Sequence, residues 1–214
     1  MVKIDRAKIH LSQEESELVQ NAEVLLTKNR VILKVYEMFG FLIDEVQDVL
    51  AGNPLLSTEI FAVSPKISKG ENYLGLPYVM LDYPRCFGKA DVFAVRTMFW
   101  WGHFFSTTLH LKGKYKQQLV STIREHQPLL SDHHFFISVH EDEWRHDFDV
   151  ANYTSLAGYD PLILAETLEK KDFCKIAVKV GLNDWHSIMD QLVAHYEIIF
   201  KKLMANFPAG ERGL

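Results

Sequence analysis

The sequence contains few of the patterns by which functional sites are usually recognised. Its two cysteines, Cys86 and Cys174, lie far apart in 214 residues and outside any Cys-x-x-Cys or Cys/His spacing. Neither a disulfide framework nor a zinc knuckle is therefore predicted. No run of closely spaced glycines leads into a Lys-Ser or Lys-Thr pair, which excludes a phosphate-binding loop of the common type. The sequence also offers no nucleophile with a base at a recognised spacing.

Long apolar segments and an excess of positive charge are lacking as well. No uninterrupted apolar run approaches the roughly 20 residues that a helix needs to span a bilayer. Charges are scattered through residues 1–17, unlike a secretory signal or a membrane anchor. With 23 basic and 28 acidic side chains the net charge is -5, whereas a nucleic-acid-binding protein needs a concentrated basic surface. We therefore expect a cytoplasmic protein with neither a membrane nor a nucleic acid as partner.

The amino-terminal part carries a long helical pattern. Ser12 followed by Glu15 is a capping box, in which the two side chains satisfy the first free amides of a helix. The apolar residues that follow at helical intervals are Leu18, Ala22, Leu25, Ile32, Tyr36, Phe39, Ile43, Val46 and Leu50. They fit either one helix over 12–51 or a helix pair separated near 27–30, with Asn29 as the second cap. A single helix would be longer than the domain is wide and would need a partner, so a homodimer is one prediction.

From residue 55 the pattern changes to the two-residue period of strands, with proline and glycine between the segments. Antiparallel strands joined by short loops are typical of such a pattern. The five predicted strands are Glu59–Ala62, Tyr78–Tyr83, Val92–Trp100, Phe104–Leu111 and Phe135–His140. A helix is predicted between the last two strands, from Gly113 to His126.

Helical signals return near the carboxyl terminus. Asp160 and Pro161 open a helix, because aspartate is a favourable cap and proline fits the first helical position. Asp172 is predicted to cap a second, short helix that Gly181 ends. A longer helix begins at Asn183 and presents apolar residues on one face.

Helices first, strands in the middle and helices last are typical of an α+β fold. We expect a single domain over residues 1–214, with a helical arm or helix pair in 12–51. An antiparallel sheet of about five strands and one helix is expected in 55–140, and helices in 160–207. The terminal helices are expected to cover one face of the sheet, which leaves the other face for a functional site.

The long aromatic hairpin between the third and fourth predicted strands contains the first site candidate. A two-residue turn at Gly102 and His103 is the type II′ pattern. That pairing places Arg96, Trp100 and Phe105 on one face of the hairpin. Arg96 is unusual in the middle of a strand, because a guanidinium without a partner is costly to bury.

Two interpretations of Arg96 stay open. As a functional residue, it binds a carboxylate or phosphate bidentately in a pocket walled by Trp100 and Phe105. His110, on the following strand, is the fourth ligand-binding candidate. As a structural residue, Arg96 forms an internal ion pair, for instance with Asp82 on the neighbouring strand.

A second candidate lies in residues 132–149, which hold four of the ten histidines together with several carboxylates. Imidazoles and carboxylates bind a divalent metal when three or four of them converge. His140, Glu143 and His146 are the predicted ligands, with Asp149 as a further candidate. Their spacing is not that of the helical His-Glu-x-x-His motif, and a solvated loop after an edge strand is the alternative.

The middle of the chain resembles a known family. The segments on which the resemblance rests are GLPYVML, the hairpin VFAVRTMFWWGHFFSTTLHL, a helix that ends in a histidine, and FFISV. Together they resemble the YktB-like family of small uncharacterised bacterial proteins. The resemblance covers about residues 74–140 and contains no catalytic motif. It implies a fold of the same kind and no particular activity.

Three functions are predicted. The first is a non-catalytic cytoplasmic domain that binds a small anionic organic ligand through Arg96, or a protein partner. The second is a metal-dependent hydrolase that uses the His/carboxylate cluster. The third is a structural interaction protein whose aromatic side chains lie at a subunit boundary. No motif specifies a cofactor.

Overall fold

A computed structural model describes residues 9–205 and residue 207. The predicted features of residues 1–8, the predicted end of the last helix at Pro208 and the tail at 209–214 lie outside the described residues. Among the helices that the described residues form, none is long and apolar enough to cross a membrane.

The chain forms six α-helices and seven strands within these residues. The α-helices are α1 (Gln13–Gln20), α2 (Ala22–Val49), α3 (Lys114–Glu125), α4 (Gln127–Asp132), α5 (Pro161–Lys170) and α6 (Ile188–Glu197). The strands are β1 (Lys66–Tyr73), β2 (Leu76–Phe87), β3 (Val92–Trp100), β4 (Phe104–Lys112), β5 (Phe136–Ser138), β6 (Tyr153–Ser155) and β7 (Phe173–Gly181). Short 3-10 helices occupy Pro54–Ser57, Glu59–Phe61 and Leu182–Ser187, and the π-helix Ile198–Leu203 continues α6.

The capping box is confirmed, and the first two helices are separated at Asn21. The Ser12 hydroxyl accepts a hydrogen bond from the Glu15 amide (3.1 Å), and the Glu15 carboxylate accepts one from the Ser12 amide (2.7 Å). The Asn21 side chain accepts from the Glu23 amide (3.2 Å) and so caps α2. The predicted break near 27–30 is wrong, because Asn29 lies inside α2 and the interruption comes earlier in the chain.

One antiparallel sheet has the strand order β1-β2-β3-β4-β7-β5-β6. The α+β class is confirmed, with seven strands in place of about five. The hairpin strands β3 and β4 have the predicted bounds to within one residue. The predicted strand Glu59–Ala62 is wrong, since Glu59–Phe61 forms a 3-10 helix. Strands β1 and β6 were not among the predicted elements.

Strand β7 replaces the short helix predicted between Asp172 and Gly181. Its side towards the helices consists of Cys174, Ile176, Val178 and Val180. Lys175 and Lys179 lie on the other side. This alternation has the two-residue period of a strand and is rich in β-branched residues. Asp172 and Gly181 resemble a helix cap and a helix stop, but the pattern between them decides the structure.

The helices pack on one face of the sheet and form the main core there. Val35 and Phe39 of α2 and Tyr196 of α6 are fully buried in it. Phe39 meets Phe105 of β4 edge-on, with ring centroids 6.2 Å apart. Burying each large apolar side chain of this kind contributes about 1.5–3 kcal/mol. The opposite face, which carries Arg96, is covered differently.

The hairpin turn contains three residues rather than two, and this shifts the register. Trp100 pairs with Phe104, and Arg96 pairs with Thr108. Side chains alternate with a period of two, so a shift by one residue exchanges the faces of β4 relative to β3. The predicted placement of Phe105 beside Arg96 is therefore wrong, because Phe105 belongs to the core under the helices.

Candidate functional site

The face of the sheet opposite the helices carries a row of polar side chains on its central strands. Asp82, Arg96 and Thr108 are successive partners across β2, β3 and β4. His110 and Lys175 are partners across β4 and β7. Arg96 is half-buried and the other four side chains are buried. Polar groups in such a position need hydrogen-bond partners, because an unpaired buried polar group is costly.

A connection without regular secondary structure lies over this polar row. It comprises residues 139–152, between β5 and β6, and is called the cover segment below. Connections of this length without secondary structure are uncommon in compact domains. The hydroxyl of Tyr73 accepts hydrogen bonds from the amides of His146 (2.7 Å) and Asp147 (3.1 Å) and donates one to the Asp147 carboxylate (3.1 Å). Tyr73 thus holds the middle of the cover segment against the sheet.

Arg96 forms the internal ion pair with Asp82. Its Nε donates to Oδ1 (2.6 Å) and a terminal nitrogen donates to Oδ2 (2.9 Å), so the pair is bidentate. The other terminal nitrogen donates to Nε2 of His146 (3.0 Å). Because a guanidinium can only donate, neutral His146 carries its ring proton on Nδ1. Burial lowers the pKa of His146 well below its ordinary value, and the charges of Lys175 and Arg96 add to this effect.

His110 contacts the cover segment through Glu143. Its Nε2 donates to Oε2 of Glu143 (3.0 Å), and Nζ of Lys112 donates to Oε1 (2.8 Å). Burial lowers the pKa of His110 to about 4, the charge of Lys175 adds to the shift, and Glu143 only partly opposes it. His110 is therefore neutral at pH 7. The rings of His110 and Trp144 form a T-shaped pair, with centroids 5.6 Å apart.

Lys175 differs from Arg96, Lys112 and Arg145, each of which has a carboxylate partner. Those pairs are Arg96–Asp82, Lys112–Glu143 and Arg145–Asp147. Within the described part of the chain, Lys175 forms no ion pair at 4.0 Å or less, and its Nζ donates to the backbone carbonyl of Arg145. The residue is only 1% exposed. Burial, followed by repulsion from Arg96, lowers the pKa of Lys175 from 10.5 to about 7.

A small cavity lies at the polar row. The residues that line it are Phe87, Ala94, Arg96, Thr108, His110, His146 and Lys175. Its volume of about 10 Å³ is close to the minimum that one water molecule needs. None of these described residues is acidic, and two of them, Arg96 and Lys175, carry cationic groups. The chemistry of the wall therefore suits an acceptor of hydrogen bonds with negative charge.

Two of the four predicted ligand-binding residues, Arg96 and His110, line this cavity. Trp100 lies on the same face of the sheet but does not line the cavity, and its indole nitrogen donates to the Tyr73 carbonyl (3.1 Å). Phe105 lies on the helix face. The cavity is therefore lined by the imidazoles of His110 and His146 and the amine of Lys175. The predicted walls, Trp100 and Phe105, do not take part.

The three predicted metal ligands have different partners. The Nδ1 of His140 accepts a hydrogen bond from the Asp142 amide (2.9 Å), whereas Glu143 and His146 bind the polar row. No group of three or more His, Cys, Asp or Glu side chains in the described ranges is arranged to hold a metal ion. The predicted ligands therefore do not converge on one position.

Lys175 and Tyr73 are two site residues that were not predicted from the sequence. The signal for Lys175 is the alternation in FCKIAVKVG, which places one lysine in the middle of a buried strand. Tyr73 gives no comparable signal, because two of its partners are backbone amides of a distant segment.

Comparison with protein-family models, with curated proteins and with solved structures finds no match to this chain. The resemblance to the YktB-like family stays a prediction. Function is therefore argued from the site itself.

Proposed function

We propose that the protein is a non-catalytic domain that binds a small anionic organic ligand beneath the cover segment, with Lys175 as the main contact. The observation that carries the proposal is the buried Lys175 amine, which no described carboxylate pairs and which lines a cavity with Arg96. A buried ammonium group is costly unless it is paired. A carboxylate in the cavity would supply the missing pair.

The neighbouring groups favour an anion over a cation. A guanidinium carries five N–H donors, and Arg96 uses three of them to bind Asp82 and His146. Arg96 therefore retains two donors. Thr108 and His146 also line the cavity, and each carries a further donor. Convergent donors with positive charge are the usual environment of a bound carboxylate or phosphate.

A ligand larger than a water molecule requires displacement of the cover segment. Hydrogen bonds and ion pairs attach this segment to the sheet through Tyr73, His110 and Lys112. Near its end the segment is also held by Phe148, which packs on the rings of Phe104, Phe136 and Tyr153, so the displacement that we propose concerns residues 139–147. Trp144 is 50% exposed and contacts both His110 and Phe87. We infer that its ring offers the apolar surface for the organic part of the ligand.

The test is a screen of small carboxylates and phosphates by thermal shift and isothermal titration calorimetry. It compares the wild type with Lys175→Met and with the matched control Lys179→Met, an exposed lysine on the same side of β7. We expect a ligand that raises the melting temperature of the wild type and the control. Its affinity should fall at least about tenfold in Lys175→Met, since a charge-assisted contact is lost. Equal responses of all three proteins, or no response to any anion, would contradict the proposal.

We also propose that the protein is cytoplasmic and does not bind nucleic acid. Both cysteines are free thiols, as suits a reducing compartment. The net charge of -5 disfavours phosphate backbones as partners. The alternative of a metal-dependent hydrolase has no converging ligand set among the described residues to support it.

A further inference from the structure

The surroundings of Lys175 favour the uncharged form of its amine. Lys175 and Arg96 line the same cavity, and Lys175 forms no ion pair with the described residues. Burial and the charge of Arg96 lower the pKa of Lys175 to about 7, so about half of this amine is unprotonated at neutral pH. An exposed lysine is unprotonated to less than about 0.1% at this pH. A desolvated lysine beside another cation is an activated nucleophile.

The contacts of the Lys175 amine leave its lone pair free. Nζ donates to the backbone carbonyl of Arg145, and it lies over the ring of Tyr153, 5.4 Å from the centroid. Donation to a carbonyl engages an N–H group, so the lone pair of the neutral amine remains available to attack a carbon atom. Arg145 belongs to residues 139–147, whose displacement a ligand requires. The movement that admits a ligand therefore also releases the amine.

A buried hydroxyl next to Lys175 lacks a partner. Strands β5 and β7 pair with Ile137 opposite Ile176. Continued by one residue, this antiparallel register places Ser138 beside Lys175 on the face opposite the helices. The Ser138 hydroxyl is buried and has no hydrogen-bond partner among the described residues. Such a group is costly to bury, and an oxygen atom of a ligand bound at Lys175 would supply its partner.

We propose that Lys175 forms a reversible imine with the carbonyl group of a small oxo carboxylate, an inference that rests on the anion site proposed above. The nitrogen lone pair attacks the carbonyl carbon and forms a C–N bond. The two protons of the neutral amine pass to the carbonyl oxygen, which leaves as water when the C=N bond forms. Addition of water to the imine restores the lysine and the ligand, so the step needs no oxidant or reductant.

The carboxylate of such a ligand has a place beside the lysine. Arg96 and Thr108 are partners across β3 and β4, and both line the cavity with Lys175. The two remaining donors of Arg96 suit a carboxylate, which leaves the carbonyl carbon to the amine. Because these groups surround a cavity of only about 10 Å³, the carboxylate and the carbonyl lie close together in the ligand. This indicates a 2-oxo acid.

Reductive trapping on the full chain tests the proposal. The protein is incubated at neutral pH with pyruvate and sodium cyanoborohydride, which reduces an imine to a stable secondary amine. Peptide mapping by mass spectrometry then gives the modified fraction of each lysine. We expect modification of Lys175 to exceed that of the exposed Lys179 at least about tenfold, because the nucleophilic form is far more abundant at Lys175. Both lysines are compared within the wild type, so this result does not depend on the folding of a variant.

Variants and an analogue show whether the modified lysine is the one in the cavity. Lys175→Met should lose the excess adduct, whereas Lys179→Met should keep it at Lys175. Lactate, in which a hydroxyl replaces the carbonyl oxygen, should form no adduct. Added in excess, it should slow the modification of Lys175 by pyruvate and leave that of Lys179 unchanged.

The imine and the anion site fail in different ways. Binding of lactate and pyruvate without an excess adduct at Lys175 would overturn the imine and leave the anion site intact. Modification of Lys175 by the neutral aldehyde propanal, in a protein that no carboxylate stabilises, would contradict the anion site and leave Lys175 as an imine-forming residue. An adduct spread evenly over the exposed lysines would overturn the imine.

Discussion

Lys175 and His110 stand directly opposite each other on strands β7 and β4, and both line the cavity at the polar row. Burial lowers the pKa of both groups, and the charge of Lys175 contributes to the shift at His110. His146, a third base on the wall, is shifted in the same direction. The site thus carries less positive charge at neutral pH than its residues would carry in water. A bound anion would reverse this, because a nearby negative charge favours the protonated forms.

Replacing Lys175 by methionine should stabilise the protein more at pH 6 than at pH 10. The pKa of Lys175 is about 7 in the folded chain and 10.5 ordinarily, so between these values the unfolded state binds more protons. Stability of the wild type therefore rises with pH through this window. The change in unfolding free energy caused by Lys175→Met should differ between pH 6 and pH 10 by on the order of 3–5 kcal/mol, at about 1.4 kcal/mol per pKa unit. Urea unfolding across this pH range measures it.

Lys179→Met is the control for this experiment. Lys179 is exposed on the same strand and the same side of the sheet, and its amine lies over the rings of Phe104, Phe136 and Phe148. Its replacement should therefore lower stability by about 1 kcal/mol. The same pH dependence in both variants would show that the effect does not come from the buried amine.

Acidification should destabilise the protein between pH 6.5 and pH 4. Burial lowers the pKa of His110 to about 4 and that of His195 to about 4, from 6.5. In this interval the unfolded state binds more protons than the folded state, so stability falls as the pH falls. The variant His110→Gln, which keeps a donor for Glu143, should lose about 3 kcal/mol of this pH dependence. His186→Gln, at an exposed position, should keep all of it in the same unfolding measurement.

Tyr73→Phe should loosen the cover segment without unfolding the sheet. The hydroxyl of half-buried Tyr73 serves two backbone amides and one carboxylate of the buried residues His146 and Asp147, and leaving such buried groups without a partner costs about 1–3 kcal/mol. Hydrogen exchange at the amides of His146 and Asp147 should become at least about tenfold faster. Tyr159→Phe, which removes a hydrogen bond to Thr167 (3.2 Å), should leave these two amides unchanged. Unaltered exchange in Tyr73→Phe would show that other contacts hold the segment.

Elements with a strong local pattern could be predicted from the sequence. The bounds of β3 and β4 follow from alternation on either side of Gly102, and the start of α5 follows from Asp160. The register of the hairpin does not follow, because a glycine with positive φ, here 75°, suits turns of two and of three residues. One extra turn residue moved Phe105 from the proposed site to the core.

The site was less predictable than the fold, because distant segments meet in it. Arg96 and its possible partner Asp82 could be proposed from neighbouring strands. Lys175 was missed despite the alternation around it, because the strand that carries it lies between flanking residues that resemble helix signals. Residues 139–152 attach to the sheet through contacts such as that of Tyr73, which the local sequence does not encode.

The titration of Lys175 shows whether its buried amine is unpaired and open to an anion. Lysine labelled with ¹³C at Cε gives one NMR signal per residue, and the signal that disappears in Lys175→Met identifies the buried amine. We expect a midpoint near pH 7 in the free protein and a higher midpoint when a carboxylate from the screen is bound. A midpoint near 10.5 that no anion displaces would contradict it.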